Sequence, residues 1–242
     1  MSRSVLVTGG NRGIGLAIAT AFRAAGDQVA VTYNSSPPPE GFLGVKCDIT
    51  DQEQVDAAFD TIQEQQGPVE VLVANAGKAV SAPLSRTTDE IWDAQLAINL
   101  TTPFRCVRRA VPSMVTAGWG RVIVMASAAA KAGAPYVSAY TAAKHGVLGL
   151  VRSAAAELAH TGVTVNAVCP GYVDTPMTDD SVRNIAERTS LTADEARERL
   201  AAMQPIGRLI TPAEVADVVA LLVESGGITG QGINIDGGAV QS

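Results

Sequence analysis

Val5-Leu6-Val7-Thr8-Gly9-Gly10-Asn11-Arg12-Gly13-Ile14-Gly15 runs from three apolar residues through a glycine-rich turn into the amphipathic stretch 13–25. The apolar triplet reads as a buried strand and the stretch after the turn as a helix. Glycines at such a junction allow a tight turn and let backbone approach a pyrophosphate. The helix N-terminus adds free N–H groups and the positive end of a dipole. The spacing here is G-x-x-x-G-x-G. With a strand before it and a helix after it, the turn is expected to hold the phosphates of a dinucleotide.

Working outward, the same strand-then-helix pattern repeats along the chain. Val5-Val7, Val29-Val31, Val45-Cys47, Val69-Val73, Val122-Met125, Val163-Val168 and Ile233-Ile235 read as strands, several continuously apolar, as strands covered on both faces must be. Helices are expected over 13–25, 51–66, 88–117, 138–161 and 212–224. Alternation of this kind predicts an α/β fold: a single doubly wound, Rossmann-type domain over 1–242, with a seven-stranded mostly parallel sheet and helices on both faces. The Pro37-Pro38-Pro39 run is a loop after the second strand. Residues 176–205 are polar and contain two helix-like pieces. Thr192 and Glu195 form a capping-box pair there. A long segment after a parallel strand stands where ligands bind in such sheets, so it is expected to be a substrate lid.

Composition excludes several classes of function. The 242 residues are 47% hydrophobic, enough to bury a sizeable core, and the net charge of −6 gives no electrostatic case for nucleic acid or an anionic membrane surface. No apolar stretch is long enough to span a bilayer, and the first apolar run is too short for a secretory core. A cytoplasmic protein is therefore expected. Cys47, Cys106 and Cys169 are odd in number and lack a C-x-x-C spacing, which points to buried inert thiols with no disulfide and no metal site. The histidines, His145 and His160, read as a packed or interface residue and a helix-dipole partner respectively.

Two features speak to chemistry. Tyr140-Thr141-Ala142-Ala143-Lys144 places a phenol and an ammonium one helical turn apart on the same face. Reducing a ketone requires a proton donor for the developing alkoxide. A lysine beside the tyrosine favours phenolate, so Tyr140 reads as general acid in reduction and general base in reverse. The end of the second strand, Val31-Thr32-Tyr33-Asn34-Ser35, lacks the acid that usually binds the 2′-hydroxyl of NAD. Arg12 can reach a 2′-phosphate, and Asn34 and Ser35 can donate hydrogen bonds. The expected cofactor is NADPH/NADP+.

From the glycine spacing onward the chain resembles, over essentially its whole length, the classical short-chain dehydrogenase/reductase family. The resemblance implies a catalytic set of Asn99, Ser127, Tyr140 and Lys144. Asn99 would kink its helix and hold a water leading to the lysine, Ser127 would hold the substrate carbonyl oxygen, and Lys144 would bond the nicotinamide ribose. It also implies roles for Asn75-Ala76-Gly77 beside the cofactor, Asp48 at the adenine amino group, Pro170-Gly171 and Thr175 at the nicotinamide amide, and Asp236-Gly237-Gly238 as the C-terminal signature. The cofactor site it implies comprises Gly9, Asn11, Arg12, Gly13, Ile14, Gly15, Asn34, Asp48, Ile49, Asn75, Ala76, Gly77, Tyr140, Lys144, Pro170, Gly171, Val173 and Thr175. By the same resemblance, residues 88–117 and 138–161 would pair across a dimer and build a homotetramer.

Within that family the N-terminal stretch is similar to 3-oxoacyl-acyl-carrier-protein reductases. The stretches 142–147 and 168–171, and the long segment 177–204, are more similar to polyketide ketoreductases and 3-hydroxyacyl-CoA-type dehydrogenases. Lys78-Ala79-Val80-Ser81 stands where the polyketide enzymes carry a glycine pair. The implied reaction is reduction of a 3-oxoacyl thioester, on acyl carrier protein or CoA, to the 3-hydroxyacyl product. Two alternatives stand beside it: a broad ketone, secondary-alcohol or polyketide ketoreductase, and a catalytically silent NADP-binding regulator. Arg105, Arg108 and Arg109 form a basic stretch that reads either as a solvated helix face or as a contact for an acidic carrier.

Overall fold

The computed structural model describes residues 2–241. Seven strands form one parallel sheet in the order β3-β2-β1-β4-β5-β6-β7: β1 Ser4–Val7, β2 Gln28–Tyr33, β3 Leu43–Lys46, β4 Val71–Ala74, β5 Gly120–Met125, β6 Val163–Pro170 and β7 Gly232–Ile235. Every pairing is parallel. The order doubles back at β1, which leaves a crevice beyond the carboxyl ends of β1 and β4.

Side-chain alternation divides the core in two. Leu6, Leu72, Val122 and Val124 point to one face, against α2 (Gln52–Gln66), α4 (Thr102–Ala117) and α5 (Ser138–Leu158). Val5, Val7, Val71, Val73 and Ile123 point to the other, against α1 (Gly13–Ala24) and α8 (Pro212–Glu224). With both faces covered, neither can be polar, which is why these strands read as unbroken apolar runs.

Three expectations need correction. The stretch 88–117 is not one helix: α3 (Asp89–Leu96) passes through a π-turn at Ala97–Thr101 before α4 begins. Val69 and Cys47 lie outside the strands assigned to them, while β6 continues two residues further to Pro170, because β7 pairs with it up to Ile235. The helix expected over 138–161 ends at Leu158. Residues 176–205 do form two helices, α6 (Pro176–Arg188) and α7 (Ala193–Ala202), and the Thr192–Glu195 capping box is formed. Among the described residues no helix is long and apolar enough to cross a membrane.

Candidate active site

Because the strands are parallel, the turns after β1, β4, β5 and β6 all open on one edge. Two adjoining clefts lie there, of about 420 Å³ and about 250 Å³, and Ile14, Asn75, Gly77, Thr175 and Met177 line both.

The smaller cleft is built on the start of α1. Asp51, Thr88, Thr192 and Thr211 cap α2, α3, α7 and α8 with side-chain oxygens. At α1 the N-cap is Arg12, whose side chain accepts nothing, and no acid stands in the first turn. The first N–H groups of α1 are therefore left for an anion. Gly9 and Gly13 have positive φ, and a Cβ at Gly15 would collide with the Gly9 carbonyl oxygen and with Asn75 Nδ2. The cradle admits backbone alone, which fits a pyrophosphate. Thr8, Thr32 and Asn75 hold its shape. Asn75 Nδ2 donates to the Thr8 and Gly9 carbonyls (2.9 and 3.2 Å), Thr8 Oγ1 accepts from the amides of Asn75 and Ala76 (both 3.0 Å), and Thr32 Oγ1 accepts from Gly9 N (3.1 Å). Asn11 Nδ2 donates to the Ser36 carbonyl (2.9 Å), tying the turn to the loop after β2. Arg12, Asn34 and Ser35 stand exposed along the same cleft with Asp48, Ile49 and Ala76. Asp48 accepts from the amide and hydroxyl of Thr50 (3.0 and 2.7 Å).

The larger cleft brings Asn99, Ser127, Tyr140 and Lys144 together from the π-turn, the end of β5 and α5. Ser127 Oγ accepts from Ala129 N (3.1 Å), so its hydroxyl proton points into the cleft toward Tyr140. Lys144 is 4% exposed, its Nζ donates to the Met125 carbonyl (2.7 Å), and it lies 5.6 Å from the centre of the Tyr140 ring. Asn99 is fully buried. Its Nδ2 donates to the carbonyls of Lys78 (2.9 Å) and Gln95 (3.1 Å), and its Oδ1 accepts from Lys78 N (3.2 Å). The amide is thus spent on bridging the π-turn to the segment after β4.

The proton affinities differ from the sequence expectation. Burial raises the Tyr140 phenol above its usual value, only partly offset by a hydrogen bond from Ser127. Burial also pushes Lys144 down to about 8. In the cofactor-free protein desolvation favours the neutral form of both groups and outweighs the expected pull of the lysine toward phenolate.

Pro170, Gly171, Val173 and Thr175 line the larger cleft, and Thr175 closes on Gly13 of the phosphate turn. Asp236 accepts from the amides of Gly238 (3.0 Å) and Val240 (2.9 Å), holding the chain after β7 over the same cleft. Every residue named from sequence for the site therefore lines one cleft or the other. Sequence reading did not single out Tyr172, Met177, Met203 or Gln204, which line the larger cleft, although the last three fall in the segment 176–205 expected as a lid. Tyr172 was within reach, lying inside the Pro170–Thr175 stretch already singled out.

Elsewhere, Arg105, Arg108 and Arg109 face α2, donating to the Thr50 carbonyl, Gln52 Oε1 and Asp60 Oδ1 (2.7, 3.2 and 2.6 Å). The three cysteines are buried and free, and burial raises all three thiols, Cys47 to about 11 and Cys106 to about 12. His145 is exposed and its Nδ1 lies 2.9 Å from the Thr141 carbonyl.

A profile of the family described as enoyl-(acyl carrier protein) reductase matches residues 9–240. The chain belongs to the short-chain dehydrogenase/reductase family. It is 46% identical over 240 residues to the 3-oxoacyl-[acyl-carrier-protein] reductase MabA of Mycobacterium tuberculosis (strain H37Rv), covering 98% of this chain and 93% of the relative. A putative ketoacyl reductase of Streptomyces coelicolor is 36% identical, covering 98% and 97% respectively. Among solved structures, a substituted actinorhodin polyketide ketoreductase with NADPH superposes with a TM-score of 0.92 at 34% identity, covering 99% of both chains.

Proposed function

We propose that this short-chain dehydrogenase/reductase uses NADPH to reduce a 3-oxoacyl thioester to the 3-hydroxyacyl product. The observation that carries the reading is the half-buried Tyr140 with the buried Lys144 beside Ser127 in a cleft continuous with the uncapped start of α1. The similarity to 3-oxoacyl reductases supports the substrate class, and the NADPH named with the ketoreductase structure supports the cofactor.

NADPH held along the smaller cleft by the Gly9–Gly15 turn would supply the hydride chemistry. The Ser127 hydroxyl donates a hydrogen bond to the carbonyl oxygen, keeping its proton, and stabilises the charge developing there. Tyr140, held as phenol, transfers its proton to that oxygen. Lys144 holds the charge balance beside the phenol. Asn99 fixes the segment from Asn75 to Lys78 along the cofactor. Alanines 126, 128, 129, 132 and 134 with Met125, Met177 and Met203 give the cleft an apolar lining suited to an acyl chain. The segment 176–205 acts as its lid. Arg12, exposed beside Asn34 and Ser35, takes the 2′-phosphate. The protein works in the cytoplasm as a homotetramer.

The test is NADPH oxidation with acetoacetyl-CoA, crotonyl-CoA and simple ketones, each repeated with NADH. Turnover of acetoacetyl-CoA with a marked preference for NADPH is expected. Turnover of simple ketones alone replaces the thioester reading with a general ketone reductase, and tight NADPH binding without any turnover identifies a cofactor-binding regulator.

A further inference from the structure

Gln204, just beyond α7, is 1% exposed and ranks among the largest fully buried side chains. A glutamine amide has two donors and one carbonyl acceptor. Here Oε1 accepts from Tyr172 N (3.0 Å), and Nε2 donates to the carbonyls of Tyr172 (3.1 Å) and Arg208 (2.7 Å). Both main-chain groups of Tyr172 are thus read by one side chain.

The surroundings show what this amide joins. Ile210 N donates to the Tyr172 carbonyl (3.0 Å) and Asp174 N to the Ile210 carbonyl (2.8 Å), so the chain leaving α7 runs beside the chain leaving β6. Gln204 closes the end of that pairing nearest the cleft. A Cβ on Gly171 would collide with Gln204 Oε1, so the amide also occupies the space that glycine leaves. Gly171, Tyr172, Met203 and Gln204 all line the cleft that holds Tyr140. An apolar side chain of the same size would leave Tyr172 N and the Arg208 carbonyl without this partner. The amide both satisfies these groups and fixes Tyr172 in place.

We propose that Gln204 is a positioning residue, whose amide locks the segment carrying Met203 to the Pro170–Tyr172 turn and so sets the width of the reduction cleft and the seat of the nicotinamide end of the cofactor. The proposal rests on the reading of the site as an NADPH-dependent ketone reductase. It predicts effects on the nicotinamide end and the ketone while the phosphate cradle at Gly9–Gly15 is untouched.

Two variants test it. Gln204→Leu keeps the volume and removes every hydrogen bond. Gln204→Glu keeps the acceptor for Tyr172 N but, when ionised, cannot donate to either carbonyl. Binding of NADPH and of 2′,5′-ADP, which reaches only the phosphate and adenosine end, is measured alongside kcat and KM for the best ketone substrate. For Gln204→Leu the expected result is unchanged 2′,5′-ADP affinity, weaker NADPH binding and kcat/KM lower by about 10- to 100-fold, the scale of unmade buried hydrogen bonds. For Gln204→Glu the deficit should shrink as pH falls through the carboxylic-acid range, because protonation restores one donor, and the wild-type profile should show no such recovery.

Wild-type constants in Gln204→Leu overturn the proposal. So does parallel loss of NADPH and 2′,5′-ADP binding, which marks general loosening, and so does a wild-type pH profile in Gln204→Glu. If the wild type reduces no ketone but the two ligands still separate in Gln204→Leu, the reductase reading fails while the positioning role stands. Failure of the wild type to bind NADPH overturns both.

Discussion

Tyr140 and Lys144 are four residues apart on α5, and burial moves their proton affinities apart, Lys144 down to about 8 and Tyr140 above its ordinary value. Both shifts favour the neutral form, because desolvation penalises a phenolate and an ammonium alike. In the cofactor-free protein Lys144 therefore loses its proton first, near pH 8, while the phenol stays protonated well beyond. Since kcat/KM for NADPH reports the cofactor-free enzyme, that constant is expected to fall along a limb starting near pH 8. A flat profile up to pH 10 would remove the lysine from the proton balance of the reaction. Stability is expected to move the other way. Lys144 titrates lower in the folded chain than in the unfolded one, so between about 8 and the ordinary lysine value the unfolded state binds more protons and stability rises with pH. Thermal unfolding of the cofactor-free wild type, compared with Lys144→Met, checks that sign up to about pH 10, above which the raised phenol begins to oppose it. The Tyr-x-x-x-Lys spacing made the pair legible in sequence. The direction of the tyrosine shift was not, since it depends on how far the fold around the cleft desolvates a half-buried phenol.

The π-turn at Ala97–Thr101 shows where local pattern stops informing. Residues 88–117 keep a helical period throughout, and the break comes from a long-range contact: the Asn99 amide pairs with both main-chain groups of Lys78, 21 residues earlier. The Asn99 amide also donates to the Gln95 carbonyl four residues earlier, the acceptor its own N–H would use in a regular α-helix, and the wider π-turn accommodates that substitution. The resemblance to a known family placed Asn99 at a kink, but its polar partners were invisible without the fold. The role of Gln204 was missed for the same reason, as its partners lie 32 residues away at Tyr172. The capping boxes are the opposite case: Thr192 and Glu195 are legible because the whole device spans four residues. Asn99→Leu is expected to leave the Lys78 amide and carbonyl unpaired. A loss of about 1–3 kcal/mol in urea unfolding follows, together with a lower kcat. Unchanged stability would show that water replaces the amide, so that the π-turn owes nothing to this bridge.

At the scale of the whole molecule, the alternation of strands and helices was enough to give a parallel doubly wound sheet, because strands covered on both faces must be apolar throughout. It said nothing of what lies outside the single chain. There α4 exposes Phe104, 42% accessible with Arg108 stacked 5.2 Å from its ring centre, and Val115. Ser138 Oγ and Thr141 Oγ1 on α5 are buried without a partner among the described residues. Apolar side chains left outward on one helix are what an interface between copies would cover, and the proposed homotetramer puts α4 and α5 at such an interface. Light scattering should then find a species of four times the 24.9 kDa chain. Phe104→Glu buries a charge in that contact and should shift the protein to smaller species, at an unchanged affinity for 2′,5′-ADP, because the phosphate cradle lies within one chain. A wild type that elutes as one chain would leave the exposed face of α4 to some other partner. A variant that stays tetrameric would place the interface away from Phe104.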